Sequence, residues 1–446
     1  MCKIKFLSFL VGLMFTAGLI CTPLVQAEMR TPAEFEPQKA LWVSWPSYDY
    51  VQGFSPKQTV LDMIAAAQPY TNIVVQVPED AVIAAAQAQI KEHGIAMNNI
   101  QFVAAKRDDG WIRDMGPVFR YNNDVKEMVD FQFSMWGTSG IYDSYSQLEG
   151  NLDRLLAKKL GLDIETSWLV SEGGNREFNG KGTLMMTWAV EKQRNPERAS
   201  SLRHYPGAQT NIDEGNQRKF MEEEYKRVFN VSNIIWLENG LVEDPLAYQT
   251  IPGPKSGTRA YTWGTGGHID EMARFVNPTT IVLARVSDEQ VAADTTGIAV
   301  RTQARLEQNY EILGQAKDQD GNPFNVIRMP HTDMDYEITS RSDTMNEWLA
   351  EFRFDETLDS MPETAYIAAA SSYMNFVIAN GVVLVPQYYK EGADSSVRDR
   401  DAQAVAVLEK LFPDRKIAGV NAYAVNLGGG GMHCITAHEP ADQPKQ

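Results

Sequence analysis

The sequence predicts an α/β fold, and three observations predict it. Short runs rich in β-branched residues alternate with longer runs whose apolar residues recur at helical spacing. The longer runs carry helix punctuation, with Pro56 opening one and Gly94, Gly161 and Gly314 closing others. Turns built from small or acidic residues recur after strands near residues 114, 173, 267 and 428, which is compatible with a pseudo-repeated strand–helix architecture.

Taken in order, residues 41–45 read as a buried strand closed by Pro46, 55–68 as a helix, 72–77 as a strand, 81–93 as a helix and 100–104 as a strand. The alternation continues with a helix over 147–160, strands at 184–189 and 233–237 around a helix at 216–229, and a strand at 280–286. A helix at 297–313 leads to a strand at 325–329. Two short strands, 376–378 and 382–385, flank Asn380-Gly381, a hairpin turn signal. A helix at 398–412 and a strand at 418–425 complete the pattern. Residues 238–264 and 340–363 show no clear periodicity and read as functional loops or covers. The tail from Glu439, with Pro440 and Pro444, reads as frayed.

The 446 residues, 43% of them hydrophobic and 22% charged, suffice for a packed core. Lys3 and Lys5 precede an apolar stretch at 6–20, and Val25-Gln26-Ala27 has the small-x-small form of a cleavage site. Residues 1–27 therefore read as a secretory signal, with residues 28–438 a single catalytic domain and 439–446 a flexible tail. A lipid anchor on Cys21 would want a small residue before it, and Ile20 is not one. No stretch of the body reaches the roughly 18 apolar residues of a membrane helix, so no stable membrane insertion is expected after cleavage. Loss of Lys3 and Lys5 takes the net charge from −17 to −19. That balance disfavours nucleic acid and anionic membranes and favours a cationic ligand.

Of the three cysteines, Cys2 and Cys21 leave with the signal, so Cys434 is the only mature thiol. It follows a four-glycine run within residues 427–436. Three other stretches, 108–117, 171–175 and 264–271, also set ionisable side chains among glycines, where backbone can approach a ligand closely. Singly, each has a plain structural account: Asp114 as a turn cap, Glu172 as a turn acid, His268 and Asp270 as alternate residues of an edge strand. Together they suit one reaction. In an extended segment His268 and Asp270 face the same side. A cysteine nucleophile takes His as partner, and the carboxylates Asp114, Glu172 and Asp270 suit a planar cation with paired donors. That combination points to attack on the carbon of a guanidinium; rapid alkylation of the thiol near neutral pH, blocked by a guanidine, would mark an enzyme, and an inert buried thiol a binding or structural protein.

Other chemistries fit less well. A metal site has only His268 with clear spacing, and no His pair sits at i, i+4. A papain-like order would place Cys before His. The Gly428–Gly431 run lacks the Lys of a phosphate loop and has no crossover unit after it.

Seven ordered blocks then carry a resemblance: residues 31–37 with 42–46, 111–117, 172–174, 180–183 with 194–196, 267–270 with 274–275, 372–387, and 428–436. The chain resembles the agmatine deiminase and bacterial peptidylarginine deiminase family of the guanidine-modifying superfamily. The resemblance implies a pentein fold, a five-bladed α/β propeller of pseudo-repeats around a central site. It implies Cys434 as nucleophile, His268 as general acid and base, Asp114 and Asp270 as the grip on the guanidinium, Glu172 as the group that orients His268, and Trp111 and Asn375 as shapers of the site. It calls for no cofactor and no catalytic metal, although some relatives carry calcium. The implied partner is a small cationic guanidine or an arginine-containing peptide. Agmatine leads over peptidyl or free arginine, and Arg176 and Arg194 are the candidates to meet an arginine carboxylate. A different class, an inactive module that binds cationic amines or peptides, also fits the charge.

Overall fold

The computed structural model describes residues 29–196, 216–247, 249–352 and 363–443. The expected signal, Cys2 and Cys21 lie outside the described residues, as does the end of the expected tail.

One connectivity recurs five times: two antiparallel strands, a helical crossover, then a strand parallel to the second. The first unit pairs Val118–Asn122 with Val125–Gln132 and then Ile164–Val170. The second pairs Glu177–Phe178 with Thr183–Thr187 and Asn233–Leu237. The third pairs Ala273–Asn277 with Thr280–Arg285 and Asn325–Pro330. The fourth pairs Val377–Ala379 with Val382–Gln387 and Lys416–Asn421. The fifth joins the two ends of the chain: Thr436–Pro440 lies antiparallel to Gln38–Ser44, which runs parallel to Ile73–Val77, with Ile100–Ala104 beyond it. Glu439 and Pro440, expected in a frayed tail, are thus sheet residues. Glu439 is buried, accepts from Trp42 Nε1 at 3.1 Å and pairs with Lys126 Nζ at 2.8 Å, which fixes the strand.

The local signals explain most elements. Asn123 and Asp124 both adopt positive φ, as a two-residue hairpin between twisted strands requires. The central strand of the third unit is a continuous apolar run: Ile281, Val282, Leu283 and Ala284 are all fully buried. Burying each of the three larger side chains contributes roughly 1.5–3 kcal/mol. The helix expected over 147–160 is two, Ser144–Glu149 and Leu152–Leu160. The break falls at Gly150-Asn151, and Asp143 caps the first helix by accepting from the N–H groups of Tyr145 and Ser146.

The first segment without periodicity supplies two strands, Thr250–Pro252 and Arg259–Tyr261, to a sixth sheet completed by Thr364–Ala368 and Tyr336–Ser340, which flank the second; within the second lies the helix Thr344–Phe352. Three-residue strands interrupted by proline are too short to show a period of two.

The five units share one feature that organises the site. Just before the first strand of each comes a tight segment: Ile112–Met115, Gly173–Asn175, Ile269–Glu271, residues 372–375 and residues 428–434. These segments meet. The first packs on the second and the second on the third. Arg113 N donates to Cys434 O at 3.0 Å, and His433 N donates to Asn375 Oδ1 at 2.7 Å.

Candidate active site

Cys434 sits at the convergence, buried. Gly431 N and Asn375 Nδ2 reach its Sγ at 3.3 and 3.5 Å. Asp270 Oδ2 lies 3.7 Å and Glu271 Oε1 3.9 Å from the sulfur. Burial, then the charges of Asp270, Glu271 and Asp114, push the thiol well above its ordinary value. The resting thiol is therefore protonated, so alkylation of the free protein near neutral pH does not by itself separate an enzyme from a binding module; a cation between sulfur and carboxylates is what would release the proton. The glycine run lets neighbouring groups close in. Gly429 has φ +96°, and a Cβ there would strike Trp263.

His268 is fully buried. Its Nε2 lies 3.3 Å from Glu172 Oε2, its Nδ1 lies 3.8 Å from Asp114 Oδ1, and Nδ1 has no hydrogen-bond partner among the described residues. Burial opposes a charged ring, but Asp114, Glu172 and Asp270 outweigh it and raise the pKa to about 9. Glu172 is itself gripped by Arg194 Nε at 2.8 and 3.0 Å. Burial works to raise its pKa; Arg194 and His268 overcome that and bring it to about 2. His268 does not stand in an extended segment with Asp270 as expected. It precedes a 3₁₀ turn, Ile269–Glu271, because Asp244 Oδ2 accepts from the backbone N–H groups of Gly267 and His268, at 3.1 and 3.2 Å, and folds the loop back.

Asp114 has both oxygens placed: Oδ1 accepts from Gly174 N at 2.8 Å and Oδ2 from Trp136 Nε1 at 2.7 Å. Burial raises its pKa against the pull of His268. Asp270 Oδ2 meets His433 Nδ1 at 2.7 Å, while Oδ1 is buried without a partner among the described residues. Burial would raise Asp270, but His433 and His268 hold it below its ordinary value. Gly174 links the set: a Cβ there would stand 2.5 Å from His268 Nδ1, 3.0 Å from Asp114 Oδ1 and 3.2 Å from Asp270 Oδ2.

A cavity of about 300 Å³ opens onto Cys434 and Asp114. Its wall is aromatic: Trp111, Trp136, Trp263, Trp348 and Tyr48. Trp111 stacks on Tyr50, and Trp263 meets Trp348 edge-on at 5.4 Å between centroids. Four of these residues, Trp136, Trp263, Trp348 and Tyr48, were not legible as site residues. Nor was Glu271, which burial, then Asp270 and Asp244, keep well above its ordinary pKa. In a strand Glu271 would face away from Asp270; the 3₁₀ turn brings both to the sulfur.

Arg176 and Arg194 do not line this cavity, which overturns their candidacy for a substrate carboxylate. Arg194 is committed to Glu172, Gln193 and the carbonyl of Thr265. Arg176 donates to Ser171 Oγ at 2.8 Å and covers the Phe131 ring. Among the described residues, two groups come close enough to ligate a metal ion. In one, Glu34–His433–His438, the Arg113 guanidinium already fills the place, 2.6 Å from Glu34 and 2.8 Å from His438 Nδ1. The other, Asp270–Glu271–Cys434, is the reacting site, whose carboxylates equally suit a guanidinium.

A buried thiol, a carboxylate-held imidazolium and paired acids at the meeting point of five repeated units define a cysteine-dependent enzyme for a planar cation. The chain belongs to the Porphyromonas-type peptidyl-arginine deiminase family, whose model matches residues 30–440. It is similar to the agmatine deiminase of Medicago truncatula, 27% identical over 92% of this chain and 96% of that one. The agmatine deiminase of Pseudomonas aeruginosa (strain LESB58) is 28% identical, with 92% and 95% covered. Among solved structures, an agmatine deiminase of Enterococcus faecalis superposes with a TM-score of 0.67 at 24% identity, covering 93% of this chain and 96% of that one. The fold is the pentein type.

Proposed function

We propose that this protein hydrolyses the guanidinium of agmatine to N-carbamoylputrescine and ammonia through a covalent intermediate on Cys434. One observation carries the reading: the one thiol of the described residues opens onto a cavity whose lining includes carboxylates and aromatics but no lysine or arginine. A guanidinium is welcome there. A free arginine carboxylate finds no counter-charge among the described lining residues. The relatives named agmatine deiminase, each matched over 92% of this chain, support the same substrate.

In this reading the guanidinium lodges against Asp114 and the free oxygen of Asp270, and its charge offsets the carboxylates that hold the thiol neutral. With the cation bound, the Cys434 thiol gives its proton to solvent; the thiolate attacks the guanidinium carbon, and the C–N bond to one NH₂ group breaks as His268, already an acid, protonates it to ammonia. A thiouronium remains. His268, now neutral, takes a proton from water. The hydroxide adds to the carbon, the C–S bond breaks, the hydroxyl proton passes to the departing sulfur to restore the thiol, and the ureido product leaves. Preplaced carboxylates hold positive charge throughout, so little reorganisation is needed. Deimination of peptidyl arginine to citrulline is the second reading, favoured by the family's name. Ureido formation measured on agmatine, free arginine and a peptide ending in arginine decides: agmatine should dominate, and a dominant peptide would replace it. We place the reaction outside the cytosol on the strength of residues 1–27; exported protein should then begin at Glu28.

A further inference from the structure

The cavity has a second acidic group that attack by Cys434 does not use. Asp109 and Glu149 line it with Tyr48, whereas the carboxylates that bear most on the Cys434 thiol are Asp270, Glu271 and Asp114. Glu149 ends the helix Ser144–Glu149 and is 1% exposed. Its Oε1 accepts from the backbone N–H groups of Asp108 and Asp109 at 2.6 and 3.2 Å. Its Oε2 is buried and has no partner among the described residues. Asp109 Oδ1 accepts from the Tyr48 hydroxyl at 3.0 Å and from Gly110 N at 2.8 Å. The nearby cation, Arg107, donates to Gln76 Oε1 and to the backbone carbonyls of Asp109 and Trp45, not to either carboxylate.

A buried carboxylate oxygen beside a cavity, with no donor, is unfavourable until a donor arrives. Burial raises Asp109 to about 6; burial, then the charge of Asp109, raises Glu149 to about 8. A cation between them would hold both ionised. The aromatic lining suits a methylene chain leading from the guanidinium to such a cation. We propose that Asp109 and Glu149 are specificity-determining residues of this reaction, the two carboxyl groups that seat the distal ammonium of the substrate. This rests on the deimination reading and adds a second cation site to it.

The test compares kcat/KM on agmatine and on n-butylguanidine, which keeps the chain and lacks the amine, for the wild type, Glu149→Gln and Asp109→Asn. Both variants keep an acceptor for the backbone or Tyr48 donors, and thermal melting checks folding. The ratio of agmatine to n-butylguanidine should fall at least about tenfold in each variant, mainly through KM for agmatine. Equal losses on both substrates, or an unchanged ratio, would overturn the seat while leaving deimination intact. Turnover of neither substrate by the wild type would overturn deimination and the seat with it.

Discussion

Asp270 and His433 form a buried pair, Oδ2 to Nδ1, at 2.7 Å. The other ring nitrogen of His433 lies 2.9 and 3.0 Å from the Glu34 carboxylate, which Arg113 and Arg274 also grip at 2.6 and 2.5 Å. One oxygen of Asp270 is thereby anchored to the segment before the strand Gln38–Ser44, and the other, buried without a partner among the described residues, is the one proposed to meet the substrate. Because His433 helps hold Asp270 below its ordinary pKa, His433→Gln should do two things. It should lower kcat/KM on agmatine about 10²-fold by misplacing the carboxylate. It should also move the acid limb of the pH–rate profile to higher pH, since Asp270 loses what favours its charge. A lower rate with an unmoved acid limb would reduce His433 to a packing role.

The thiol gives a second prediction. Held neutral by burial and by Asp270, Glu271 and Asp114, Cys434 should react slowly with iodoacetamide at neutral pH and faster as pH rises. Cys434→Ala should abolish ureido formation and leave the melting temperature close to wild type. Residual turnover by that variant would remove Cys434 from the chemistry.

Much of this architecture is legible in the sequence, and the limits have physical reasons. The strand–helix alternation is local, and so are the glycine-bearing turns at 114, 173, 267 and 428. The fourth leading segment, residues 372–375, holds no glycine and no acid, so only resemblance pointed to Asn375. The aromatic wall comes from Trp263 and Trp348, in segments whose short strands and helix carry little period. Trp136 is positioned by a left-handed backbone at Met135 and Trp136, φ 49° and 54°, an uncommon conformation for such side chains that no local motif announces. Long-range packing, not pattern, makes that part of the site.

Titration of the His268–Glu172 pair supplies a third prediction. With a pKa of about 9 against an ordinary 6.5, His268 binds its proton more tightly in the folded protein than in the unfolded chain. The stability it contributes is complete below pH 6.5 and is lost as pH rises through about 9. Glu172, depressed from 4.5 to about 2, contributes stability that is complete above pH 4.5 and lost as pH falls through about 2. Glu172→Gln should shift the alkaline limb of kcat to lower pH. It should also cost on the order of 3 kcal/mol, because Arg194 keeps a buried charge without its carboxylate. A pH–rate profile and a denaturation curve measure the two effects separately.

Asp114→Asn tests the acid that faces His268. The amide NH₂ would confront either Gly174 N–H or Trp136 Nε1–H, both donors, so one contact is lost along with the charge. Activity should fall by about 10²–10³-fold, and His268 should titrate lower because a carboxylate that raises it is gone. Near-normal turnover would show that Asp114 does not meet the substrate.

Gly174→Ala is the sharpest test of how closely the site is packed. A methyl group at that position lands 2.5 Å from His268 Nδ1 and 3.0 Å from Asp114 Oδ1, both fixed from behind by Glu172 and by Trp136. Neither can retreat without breaking its own contact, and the groups displaced are two of those proposed to act on the guanidinium. The substitution leaves every ionisable group in place, so a loss of activity would come from geometry alone. A drop of about 10²-fold or more in kcat/KM is expected, with a cost of roughly 1–3 kcal/mol in stability from overpacking. An alanine variant that retains wild-type turnover would mean that His268, Asp114 and Asp270 do not close around this glycine during the reaction.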